Sequence, residues 1–276
     1  MNESVLVYRG FLYLKVATLL MLAAIVAYAV DRPLGMPNGG TWLGYGLGSI
    51  GAALILWLMW FGMRKRSYGP GKWRLEGWLS AHVYLGLSLI VIATLHSGFQ
   101  FGWNVHTLAY VLMMLVIASG VFGVFVYLRY PALMTENRRG LTLTDILAQI
   151  AELDVECREQ VMTLGDEINR TVLEASQNTR VGGGVLRQLS GRAPDCATAR
   201  ALKRVRELGD SIGSEGAEHV RRLIALLTRK DELLGRARRD VQIKAMLDIW
   251  LYVHVPLTFA LIAALVAHVI SVFFYW

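Results

Sequence analysis

Cysteine is scarce in this sequence: Cys157 and Cys196 alone in 276 residues, in no CxxC or CxxCH arrangement. Covalent haem attachment, a zinc site and an iron–sulfur ligand set are thereby unsupported. A dinucleotide-binding glycine fingerprint is also missing. The stretch VGGGVLRQ imitates a phosphate loop but lacks the GK[ST] ending and the preceding strand, and reads as a flexible turn. Acidic residues are outnumbered, 21 against 28 Lys and Arg, for a net charge of +7. That excess is not a nucleic-acid footprint. From Arg129 to Asp248 twenty basic residues face eighteen acidic ones, while one short loop, MRKRSYGPGKWRLEGW, holds Arg64, Lys65, Arg66, Lys72 and Arg74 against Glu76 alone. A local cluster beside an apolar run is a topology signal.

What the sequence has in quantity is apolar length. Hydrophobic residues make up 55% of the chain, and several runs of about twenty residues are long enough to cross a bilayer as helices. The runs are about Phe11 to Val30, Trp42 to Met63, Leu79 to Phe99, Val105 to Tyr127 and Leu247 to Trp276. In the first, Ala27-Tyr28-Ala29 imitates a signal-peptidase site, but the span is read as retained. The expected fold is all-α: an integral membrane bundle of five transmembrane helices with a helical insert. Residues 1–129 hold helices one to four, 130–246 the insert, and 247–276 the fifth helix that completes the bundle.

Two of these runs carry matched histidines. His82 and His96 lie fourteen residues apart on the third, and His254 and His268 fourteen apart on the fifth. Histidine at membrane depth is costly and marks function there. Fourteen residues is two heptads, so in a left-handed bundle both histidines face one seam, about 21 Å apart along the helix. Spans three and five run in the same direction, so His82 meets His254 and His96 meets His268. Each pair is read as the axial ligands of one non-covalent b haem, its imidazoles donating their other N–H to a neighbouring acceptor. Flat macrocycles need room, and Gly48 and Gly62, again fourteen apart, fall at the outer and inner levels; Gly120 and Gly123 fall nearer the inner one. His106 and His219 belong to no pair. The former reads as an interface residue within reach of the outer haem or a quinone, the latter as a solvated helix residue. Arg64, Arg66 and Arg74 are candidates for haem propionates, though positive charge retained in the cytoplasm explains them more simply.

The same charge rule sets orientation. The N-terminus, the basic loop and the insert are expected inside a plasma membrane of bacterial type, and the C-terminus outside. Trp42, Trp103, Trp250 and Trp276 fall near the interfaces, as an aromatic belt would. In the insert, Thr142 and Asp145 have capping-box spacing. Ile146, Ile150, Leu153, Cys157, Val161, Leu164, Ile168 and Val172 then form one apolar stripe on what reads as one helix. A break around Gly182–Gly184 and Pro194 precedes two further helices, the last entering span five.

The paired histidines, with glycines at the same interval on a neighbouring helix, resemble the di-haem four-helix core of the cytochrome b family. HVPLTFALIAALVAH is similar to that family's second ligand helix, including a proline soon after the first histidine, here Pro256. The resemblance covers spans two to five, somewhat under half the chain. It implies two b haems and electron transfer across the membrane. Span four lacks a glycine pair at fourteen, span one is extra, and the insert has no counterpart in it.

The expected function is that of a di-haem b cytochrome, the membrane subunit that moves electrons between a redox partner and a quinone or second partner. No catalytic residue is assigned, and quinone binding is left open. With no nicotinamide, flavin or iron–sulfur module visible, a partner subunit is expected at the insert, and membrane lipid around the bundle. A stand-alone quinol or ferric reductase is the nearest alternative. A haem-based membrane sensor is the alternative from another class, weakened by the lack of a recognisable output domain.

Overall fold

The computed structural model describes residues 5–33, 35–66, 75–162, 164–191, 195–209 and 216–274. A short 3-10 turn at Val5–Val7 leads into α1 (Tyr8–Val30), followed by α2 (Trp42–Arg66), α3 (Leu75–Ser97) and α4 (Val105–Arg138). Then come α5 (Leu143–Val161), α6 (Asp166–Asn178), α7 (Val185–Ser190), α8 (Ala197–Gly209) and α9 (Ala217–Phe274). Among the described residues there is no strand. Five of the helices, α1, α2, α3, α4 and α9, are long and apolar enough to cross a membrane.

The chain divides into two compact units, Met1–Phe125 with Trp250–Trp276, and Val126–Ile249. In the first, one residue from each of α2, α3, α4 and α9 meets in a shared core: Leu58, Leu89, Met113 and Leu261. A second cluster, Ala24, Leu47 and Ile92, brings α1 against α2 and α3. The helices of this unit turn large apolar side chains outward, among them Leu19, Val26, Trp60, Phe122, Tyr252 and Phe259. The start of α1 departs from helical geometry at Arg9, Gly10 and Phe11, all left-handed. Tyr84 donates to the Leu6 carbonyl at 3.1 Å, tying this entry to α3.

The second unit is an ordinary water-type core of amphipathic helices. It departs from expectation in that a short helix, α7, stands where only a break was expected, and in that the stripe from Ile146 to Val172 does not lie on one helix. It is carried by α5 and α6, which part between Val161 and Asp166. Gly165, extended at φ −60° and ψ 157°, caps α6, and glycine is a poor helix former whose loss of freedom favours the break there. The buried positions survive: Cys157, Val161, Ile168 and Val172 pack with Val205, Val220, Leu223 and Leu227 of α8 and α9. Ile146, Ile150 and Leu153 pack with Cys196, Leu233, Leu234 and Ala237. Thr142 and Asp145 form a reciprocal capping box at the head of α5, each satisfying a donor the helix leaves open. Gly182 and Gly183 adopt positive φ, 101° and 127°, just before the short α7.

Two ion pairs are built into this unit. Lys230, 1% exposed, meets Asp154 at 2.5 Å. Arg138 grips the buried Asp240 through Nε and Nη2, both at 2.7 Å. Buried charges of this kind are tolerated when paired and hydrogen-bonded.

Candidate functional site

The first unit gathers five of the six histidines of the chain into two groups, and each group is assembled by backbone as much as by side chains.

At one level stands His96, in the last turn of α3. The helix ends just beyond it because Gly98 and Phe99 turn left-handed. Gly98 has φ +58°, and a Cβ there would run into the Pro37 carbonyl, so only glycine lets the loop before α2 close over this end of α3. Gln100 holds the same carbonyl at 3.1 Å. The first turn of α2 supplies its acceptor: Gly44 O lies 2.8 Å from His96 Nδ1. A carbonyl can only accept, so Nδ1 carries the proton and Nε2 keeps its lone pair. Gly48, one turn further along α2, is where a Cβ would stand 2.6 Å from His96 Cε1.

Opposite it is His268 of α9. The two rings are perpendicular, with centroids 5.9 Å apart. Two imidazoles bound on opposite sides of one metal, at about 2 Å per bond, have centroids roughly 6 Å apart. The third member is His106, in the first turn of α4. Its ring is perpendicular to that of His268, centroids 4.5 Å apart, and the two Nδ1 atoms are hydrogen-bonded.

At the other level His254 of α9 points its Nδ1 at Ser119 Oγ, 2.6 Å away. The Ser119 hydroxyl already donates to the Val116 carbonyl at 2.9 Å. His254 must therefore be the donor, and again Nε2 is left with its lone pair. Trp250 braces the group from one turn earlier. Its Nε1 donates to Ser119 O at 2.8 Å, and its ring lies 5.6 Å from that of His254. His82 of α3 is near enough to His254 for the two rings to interact electrostatically.

No family model, curated protein or solved structure matches this chain.

The expected site residues fall as follows. The four paired histidines occupy two levels, His82 with His254 and His96 with His268. Gly48 abuts His96, and Gly120 lies beside His254, where a Cβ would be 3.6 Å from Cε1. Gly123 instead takes the indole of Trp250, which leaves no space for a Cβ, and Gly62 has nothing within 4 Å of its Cβ position. The side chains of Arg64 and Arg66, and all of Arg74 and Trp276, lie outside the described residues. His219 contacts Gln160 at 3.2 Å in the second unit. The Gly44 carbonyl and the hydrogen bond from His254 to Ser119 were not legible in advance, while His106, read as within reach of the outer level, does lie against His268. The only cue for the first was the spacing of Gly44 and Gly48, one turn apart on α2.

Among the described residues no group of three or more His, Cys, Asp or Glu is arranged to hold a metal ion. The donor set fits a group that needs one imidazole on each of two faces, rather than a protein cage. Between the levels lies an apolar layer. Leu89 is seven residues from both His82 and His96, and Leu261 seven from both His254 and His268. These two leucines pack with Leu58 and Met113.

Proposed function

We propose that the chain is a di-haem b-type membrane cytochrome, a subunit that passes electrons across a membrane between a redox partner and a quinone or second partner. The observation that carries this reading is the orientation of the imidazoles. His96 and His254 each have Nδ1 committed to an acceptor, leaving Nε2 to coordinate, and a partner histidine stands near on the other helix. Bound haem would supply a one-electron ferric–ferrous couple at each level.

The chain's own residues do the rest. Gly44 and Ser119 fix tautomer and ring direction, which raises the basicity of a ligand imidazole. Gly48 leaves His96 space, and the leucines between the levels exclude water. The outward apolar side chains of the bundle suit lipid, and Trp42 and Trp103, both fully exposed, suit its interfaces. The basic stretch after α2 favours a cytoplasmic N-terminus and insert. On the insert, the exposed Arg221, Arg222 and Arg229 suit encounter with an acidic face of a partner subunit.

Pyridine haemochrome analysis of the purified chain tests the reading. Two non-covalent b haems per chain is the expected result, with electron paramagnetic resonance of the native oxidised protein finding both low-spin. His254→Ala should remove chiefly one and His268→Ala the other. A wild-type stoichiometry of one or none would sink the proposal.

A further inference from the structure

We infer that His106 is a positioning residue: it holds the ring of His268 through the Nδ1–Nδ1 hydrogen bond, so that His268 presents Nε2 to the centre it shares with His96. This rests on the haem reading above and adds to it a role for a histidine outside the matched pairs.

Three observations lead there. First, His106 is placed by a built helix start. Asn104 caps α4, its Oδ1 accepting from Thr107 N at 3.0 Å, while Thr107 Oγ1 accepts from Gly102 N at 3.1 Å. Two residues past that cap, His106 sits in the first turn, where its direction is set by backbone hydrogen bonds. Second, the contact with His268 is through nitrogen on both sides, with the rings perpendicular. A hydrogen bond between two Nδ1 atoms needs one proton between them. If His268 is to coordinate through Nε2, its Nδ1 must be the donor and His106 Nδ1 the acceptor. Third, the other ligands with a resolved Nδ1 bond follow the same plan with different acceptors, the Gly44 carbonyl for His96 and the Ser119 hydroxyl for His254. His268 reaches neither; His106 fills that role.

An acceptor on the remote nitrogen of an axial imidazole makes the ligand more basic and favours the ferric state. Removing it should raise the reduction potential of one haem and leave the other alone. The test is a spectroelectrochemical titration of the full-length holoprotein in detergent, with electron paramagnetic resonance of the oxidised form. His106→Ala should keep two haems and normal helicity. It should shift one ferric–ferrous equilibrium about tenfold toward ferrous, about 59 mV for one electron, and change one low-spin signal. His106→Gln, which restores an acceptor, should bring potential and signal back toward wild type. Both potentials unchanged in His106→Ala would overturn the assignment while leaving the haems in place. Loss of one haem in His106→Ala but not in His268→Ala would also overturn it, by making His106 the ligand. A wild-type chain without haem would remove both this inference and the function beneath it.

Discussion

Ser119 has one hydroxyl proton and two hydrogen-bonding neighbours. It donates to Val116 O, which turns a lone pair toward His254 and so decides the imidazole's tautomer. Such decisions are made by atoms that carry no identity in a sequence. The histidine spacing was legible because fourteen residues on a helix is a repeat that can be counted. The Gly44 carbonyl was not, because any residue offers one. Gly48 is the sharper residue to change. A methyl at Gly48 would stand 2.6 Å from His96 Cε1 and 2.9 Å from Nδ1, so the ring must leave Gly44 O. Gly48→Ala should weaken retention of one haem about tenfold, with haem per chain falling from two toward one. An unchanged spectrum in that variant would show that the glycine is there only for helix packing.

At the scale of elements, periodicity was a good guide to burial and a poor guide to continuity. Ile146 through Val172 were legible as a stripe because burial recurs every three or four residues. The break at Gly165 does not interrupt that rhythm, so α5 and α6 read as one helix. The capping box was legible in full, since both partners lie within four residues of each other. The ion pair of Lys230 and Asp154 was not, because 76 residues separate them. That pair makes its own prediction. Asp154→Ala would strand a buried ammonium and should cost about 3–5 kcal/mol, seen as an earlier urea midpoint for the insert. Replacing both residues with apolar ones of similar size, Lys230→Met with Asp154→Leu, should recover most of it. Equal losses in the single and double variants would mean that the cost is packing, not charge.

Across the whole molecule, the five apolar helices were legible from composition, and the function proposed depends on which way they thread the membrane. With a cytoplasmic insert, a single cysteine introduced at Gly183 in a background lacking Cys157 and Cys196 should be shielded from a membrane-impermeant maleimide in intact cells and labelled after lysis. Labelling before lysis would reverse the threading and move the proposed partner surface to the other side.

The layer of Leu58, Leu89, Met113 and Leu261 has a further consequence for a chain that works in this way. Its side chains offer a water or a hydronium ion nothing stronger than the Met113 thioether. An electron that crossed it would leave its proton behind, and the layer would behave as the dielectric of a small capacitor. Turnover would then be electrogenic, and each 100 mV of transmembrane potential would tilt the transfer by about 2.3 kcal/mol for a full crossing. Electron flow through the protein would slow as the voltage it builds rises against it.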